Sequence, residues 1–197
     1  MNYFMMLYDR RGIKDGARFE EFGGLTFPDY MFDKCVSLKE NYSDDVTLEM
    51  DKGSEDRRAL YDITNNINQL LITSEPFKEI LETCDCGNVE FLPVSIKNQR
   101  DKIEKEKYYI VHLVDSIDYL NKEKSIIEYR ALDESQIACV EDIELQHNNI
   151  PGGRSLFRAD YYPNRYVVNE DLKNKIEDEE FEGMIFVPIE EYDSALF

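Results

Sequence analysis

Apolar residues along this chain fall in short runs and alternations far more often than in helical stripes. Runs or period-two patterns mark candidate strands at Tyr3 to Tyr8, Val46 to Met50, Leu70 to Thr73, Val89 to Ile96, Tyr108 to Tyr119, Ser125 to Tyr129, Ala138 to Leu145, Leu156 to Ala159, Arg165 to Val168 and Met184 to Ile189. Helical spacing appears in three places. Phe77, Ile80 and Leu81 share one face of a helix after Ser74, and Leu172 and Ile176 do so after Asn169. Leu60, Ile63, Ile67 and Leu71 have roughly the same spacing and predict a helix over Asp56 to Asn68. Asp9 to Lys39, with Gly23-Gly24 and Phe27-Pro28, shows no regular period, and Pro151-Gly-Gly153 marks a loop within Asn148 to Arg154. The pattern predicts an α+β fold, strand-rich and mostly antiparallel, with few short helices.

Two segments match each other without a gap, 70–94 against 165–189. Ser74-Glu75 aligns with Asn169-Glu170, Lys78 with Lys173, Glu82 with Glu177, Phe91 with Phe186 and Pro93 with Pro188, every pair 95 positions apart. Ser74 and Asn169 are strong N-cap residues, whose side-chain oxygens accept from the free amides of a first helical turn. Glu75, Glu170 and Asp171 then stand where the helix dipole favours negative charge. Gly87 and Gly183 follow as punctuation, and each unit closes on a Phe-X-Pro strand, with proline at an edge or end because it has no amide to donate. Two similar strand-helix-loop-strand units are therefore expected. They fit within a single domain over 1–197, or within two packed lobes at about 1–105 and 106–197.

Charge changes the picture more than composition does. The 197 residues are 42% apolar and 12% aromatic, enough for a sizeable core. Against 23 Lys and Arg stand 42 Asp and Glu, a formal net charge of −19. Such a field disfavours nucleic acid and anionic lipid as partners. The excess is concentrated between Glu170 and Asp193, which hold ten carboxylates (Glu177, Asp178, Glu179, Glu180 and Glu182 among them) against Lys173 and Lys175. A second acidic stretch runs from Glu40 through Asp44, Asp45, Glu49 and Asp51 to Asp56, while Lys97 to Lys107 is locally basic. The simplest account of a charge run is a solvated face. The sharper one is a docking surface for a basic protein.

The apolar opening segment lacks a basic leading region and meets Asp9-Arg10-Arg11 where a cleavage site would need small residues, so it reads as a first strand and the protein as cytoplasmic. Of the cysteines, Cys35, Cys84, Cys86 and Cys139, only Cys84-Asp-Cys86 is a close pair, with no second pair and no histidine nearby, a weak metal signal. His112 sits in an apolar run as a packed strand histidine would, and His147 in a polar loop. No nucleophile elbow or phosphate loop is present, and the position of Ser74 is accounted for by capping. With so many carboxylates, chance pairs carry no catalytic information. Asp115, Asp118 and Glu128 lie among apolar residues, and ion pairs to Arg130 and Arg158 are the expected structural role. No cofactor, metal site or catalytic residue is expected.

Taken together, Leu71-Ile-Thr-Ser-Glu75, Val89-Glu-Phe-Leu-Pro-Val94, the run from Tyr108 to Leu120, Leu156-Phe-Arg158, Tyr166-Val-Val-Asn-Glu170 and Gly183-Met-Ile-Phe-Val-Pro188 resemble the bacterial immunity-protein family numbered eleven, over about residues 60 to 190. Gly24-Leu-Thr-Phe-Pro28 supplies the glycine and extended Phe-Pro segment expected earlier in that family. The resemblance implies a non-enzymatic protein that binds and neutralises a cognate secreted polymorphic toxin. An acidic chain is suited to occlude a basic toxin cleft, with Glu177, Asp178, Glu179, Glu180 and Glu182 as candidate contacts. Two other readings stay open on the residues: a ligand-binding or scaffold module, and a carboxylate-dependent hydrolase.

Overall fold

The computed structural model describes residues 2–194. The chain runs β1 (Tyr3–Tyr8), β2 (Phe19–Gly23), β3 (Thr47–Met50), β4 (Ile72–Ser74), α1 (Glu75–Glu82), β5 (Val89–Lys97), β6 (Tyr108–Leu113), β7 (Ile126–Arg130), β8 (Asp133–Glu141), β9 (Leu156–Ala159), β10 (Tyr162–Asn169), α2 (Glu170–Asp178) and β11 (Met184–Pro188). Three sheets result, ordered β11-β1-β10-β9, β2-β3-β5-β6-β4 and the hairpin β7-β8. Every strand pair is antiparallel except β3 with β5. The fold is thus strand-rich α+β, with two helices of eight and nine residues among the described residues.

Alternation along the central strands divides the interior into three clusters. On β1, Tyr3 and Met5 face one cluster and Met6 another; on β10, Val167 and Val168 split in the same way. On β6, Tyr108 and Ile110 face the core beneath the five-stranded sheet, while Val111 and Leu113 face the helices. These strands are buried on both sides, so they read as continuous apolar runs. Phe77 and Leu81 of α1 and Leu172 and Ile176 of α2 fill the cluster between the two larger sheets. There the Leu71 amide donates to the Tyr166 hydroxyl across 3.2 Å.

Capping follows the expected chemistry. Ser74 Oγ accepts from the Phe77 amide at 3.4 Å, and Asn169 Oδ1 from the Leu172 amide at 2.9 Å. The helix expected over 56–68 does not form. That segment is an extended strap: Ile63 bridges Thr73, the Thr64 amide donates to Ile72, and the Ser74 amide donates to Asp62. Asn66 also competes with any helix there, its side chain donating to the Leu70 carbonyl at 2.8 Å and accepting from the Leu70 amide at 3.0 Å. Ile67, expected on the buried face, is 73% exposed.

Other differences have local causes. β6 ends at Leu113 because Asp115 leaves the ladder to accept from the Asn88 amide at 2.7 Å. β8 begins at Asp133 and ends at Glu141, five residues earlier at its start than the apolar pattern suggested, since backbone pairing with β7 recruits the polar residues after the turn. β2 lies in the stretch that showed no period.

The expected ion pairs to Arg130 and Arg158 are replaced by others. Asp115 faces Arg154 at 3.6 Å, Asp118 faces Lys122 at 3.6 Å, and Glu128 and Arg130 are exposed on β7. Arg158 is 1% exposed and donates to four backbone carbonyls, those of Phe32, Leu113, Lys34 and Pro163, at 3.0, 3.0, 3.1 and 3.3 Å. A guanidinium with its fork of donors suits this use, which joins β6, β9, β10 and the 3-10 turn Asp29–Asp33 at one point.

Candidate partner-binding surface

The carboxylates singled out by charge, Glu177, Asp178, Glu179, Glu180 and Glu182, are brought together at the end of α2, and all five are exposed. The start of this helix obeys electrostatics, with Glu170 and Asp171 in its first turn. Its end does not. The last turn should carry cations, and apart from Lys175 it carries carboxylates at the negative end of the helix dipole. Glu177 is paired with Lys173, one turn earlier.

The turn after the helix is a Schellman motif. The Phe181 amide donates to the Ile176 carbonyl at 3.3 Å and the Glu180 amide to the Glu177 carbonyl at 3.1 Å, while Glu180 adopts the left-handed conformation with φ of 56°. Glycine is the usual residue there; here it is glutamate. Phe181 makes the accompanying apolar contact, an edge-to-face ring pair with Phe77 of α1 at 5.2 Å.

Asp62 anchors the turn. Its Oδ2 accepts from the Glu182 amide at 2.9 Å and its Oδ1 from Ser74 Oγ at 2.7 Å, linking the acidic turn to the N-cap of α1. The Ile63 amide adds a bond to the Glu182 carbonyl at 3.3 Å. Gly183 follows with φ of 108°, and a Cβ there would lie 2.5 Å from the Ile63 carbonyl oxygen. The acidic turn is therefore held from beneath by backbone and by one carboxylate. Nothing in the sequence singled out Asp62, whose partners are distant along the chain.

The second acidic stretch is used differently. Glu49 pairs with Lys97 at 3.2 Å, and Asp51 accepts from the Gly53 amide at 2.7 Å and from Ser54 Oγ at 2.6 Å, hydrogen bonds that hold its carboxyl below the usual range. Those two residues stabilise local turns and strand pairs.

Titratable groups in the interior have structural roles. His112 is buried on β6, and its Nε2–H donates to the Val36 carbonyl at 2.8 Å. Burial pushes its pKa down from 6.5. His147 is exposed in the 3-10 turn His147–Asn149. All four cysteines are free thiols. Cys86 is buried and pushed up to about 12, whereas half-buried Cys84 receives Lys175 Nζ at 3.5 Å. Among the described residues no group of three or more His, Cys, Asp or Glu is arranged to hold a metal ion, and no helix is long and apolar enough to cross a membrane.

No curated protein matches this chain. A family model does, the Immunity protein family (Imm11), over residues 5–191. That span takes in both helices, the strap that carries Asp62 and the acidic turn. By this match over nearly its whole length, the chain belongs to the Imm11 immunity protein family.

Proposed function

We propose that this protein acts in the cytoplasm by binding, without catalysis, a cognate toxin of basic character, and that the acidic turn at the end of α2 is the surface that meets it. The observation that carries this is the cost of the turn. Carboxylates at a helix C-terminus each lose about 0.3–1 kcal/mol, and a non-glycine residue in the left-handed region costs about 1–2 kcal/mol. A sequence selected for stability alone would place glycine at 180 and lysine nearby. An unfavourable cluster held rigidly from beneath is accounted for by what it attracts.

We further infer that the segments around α1 and α2 are copies within one domain. In support, β4 and β5 flank β6 as β10 and β11 flank β1. Lys78 lies over Phe91 and Tyr109 and pairs with Glu82, as Lys173 lies over Phe4 and Phe186 and pairs with Glu177. The acidic turn belongs to one copy only, since α1 runs into Thr83-Cys84-Asp85. A feature absent from the other copy is not a requirement of the shared unit.

The test is co-expression with the toxin encoded beside this gene, followed by association kinetics on the purified pair. Reversing Glu177, Asp178, Glu179 and Glu182 to lysine is expected to slow association tenfold or more at low salt and to flatten its salt dependence, since steering acts on encounter. Unchanged association kinetics would remove the acidic turn from the mechanism. A toxic neighbour that forms no complex with the unaltered protein would remove the toxin-binding reading itself.

A further inference from the structure

A cleft of about 110 Å³ opens where β1, β10 and residues 63–71 meet. Its composition runs against the rest of the molecule. The chain has 42 acidic residues, yet no Asp or Glu lines this cleft, whereas Arg10 and Arg165 both do. Apolar Met6, Ile63 and Leu71 form part of the same wall.

Arg165 is half-buried and has no carboxylate partner among the described residues. Its Nε donates to the Tyr192 hydroxyl at 2.8 Å, and its Nη1 to Gln69 Oε1 at 2.7 Å and the Asn164 carbonyl at 3.0 Å. Those contacts, with the Tyr162 ring 5.4 Å from the guanidinium carbon, fix the guanidinium plane at the wall of the cleft without neutralising its charge. Arg10 is exposed, and its side chain likewise has no carboxylate partner among the described residues. Two polar groups in the same wall are orphaned: Thr64 Oγ1, on a residue 5% exposed, and Asn164 Oδ1. A buried polar atom without a partner costs about 1–3 kcal/mol, so the Thr64 hydroxyl, in a wall that also holds two cations without a carboxylate partner, calls for an explanation.

We propose that the cleft is a binding site for a small organic carboxylate, whose anionic end meets Arg165 and Arg10 and whose apolar body lies against Met6, Ile63 and Leu71. A planar carboxylate matches the guanidinium fork of Arg10, with the fixed charge of Arg165 in the same wall. The hydroxyl of Thr64 is a donor suited to the same anion. The overall charge of −19 repels anions in general, so affinity here depends on these local cations. The cleft shares Ile63 with the support of the acidic turn, but the residues proposed to hold the anion, Arg10, Arg165 and Thr64, are not part of that turn.

The test uses the full chain, isotopically labelled, titrated at constant ionic strength with butyrate, with its neutral isostere butyramide and with inorganic phosphate. Butyrate is expected to shift the amides of Leu71, Arg165 and Tyr166 saturably, with butyramide and phosphate at least tenfold weaker. Arg165→Gln and Arg10→Gln are each expected to weaken butyrate about tenfold. Arg10 is exposed and holds nothing in place, so that variant folds whatever Arg165→Gln does. Shifts that do not saturate, an equal response to butyramide, phosphate binding as tight as butyrate, or unaltered binding in Arg10→Gln would overturn the proposal.

Discussion

Replacing Glu180 by glycine should make the protein more stable, an unusual direction for a substitution at an exposed, hydrogen-bonded turn. Glu180 stands at φ of 56°, where an L-residue pays about 1–2 kcal/mol. Glycine removes that strain but loses more freedom on folding, roughly 0.5–1 kcal/mol. It also takes a carboxylate away from the negative end of α2, worth about 0.3–1 kcal/mol. The balance is a gain of about 1 kcal/mol, or about 2–4 °C in Tm for a chain of this size. Urea unfolding should show a higher midpoint at unchanged slope. Glu180→Gln keeps the strain and removes only the charge, so it should recover the smaller part, and that part should vanish at high salt. A Glu180→Gly variant less stable than the parent would refute the reasoning, for it would mean that the turn is neither strained nor repelled.

Arg158→Met leaves the carbonyls of Phe32, Lys34, Leu113 and Pro163 without their donor and should cost about 3–5 kcal/mol in denaturant unfolding; a loss under 1 kcal/mol would show that those carbonyls find other partners. His112 has a folded pKa below its unfolded 6.5, so the unfolded chain binds more protons just under that pH. Stability from this residue is therefore complete above pH 6.5 and lost as pH falls toward the folded pKa. Subtracting the pH profile of His112→Gln from that of the parent should reveal a difference that grows below 6.5, and parallel profiles would contradict it. Cys86, buried with its pKa near 12, should resist iodoacetamide at pH 8 until the chain is unfolded, which peptide mapping by mass spectrometry would reveal.

What could be read beforehand was what depends on neighbours in sequence. Ser74 and Asn169 announce their helices because a cap bonds an amide three residues on, and the apolar runs of β1, β6 and β10 announce strands covered on both faces. The strap 56–68 departs from its helical pattern because its determinants are elsewhere: Asp62 answers to Ser74 and Glu182, and Ile63 to Thr73. Leu60, Ile63, Ile67 and Leu71 imitate a helical period while their backbone takes its hydrogen bonds from other segments. Charge located the acidic turn, but the left-handed backbone at Glu180 left no trace, since glutamate carries no mark of that conformation. The cleft was invisible for a similar reason. Arg10 and Arg165 are far apart in the chain, and that both line one cleft with no carboxylate is a property of the folded surface alone.

The position of β1 has a consequence for biosynthesis. Among the described residues this strand pairs only with β10 and β11, from Tyr166 to Pro188, although it is synthesised long before either of them. At roughly 5–20 residues per second, its two backbone edges wait about 10–30 s for the strands that pair with them. The sheet that carries α2 therefore closes after β11 has emerged, and a nascent chain stopped short of it would expose Met5 and Met6 to chaperones rather than present a finished surface.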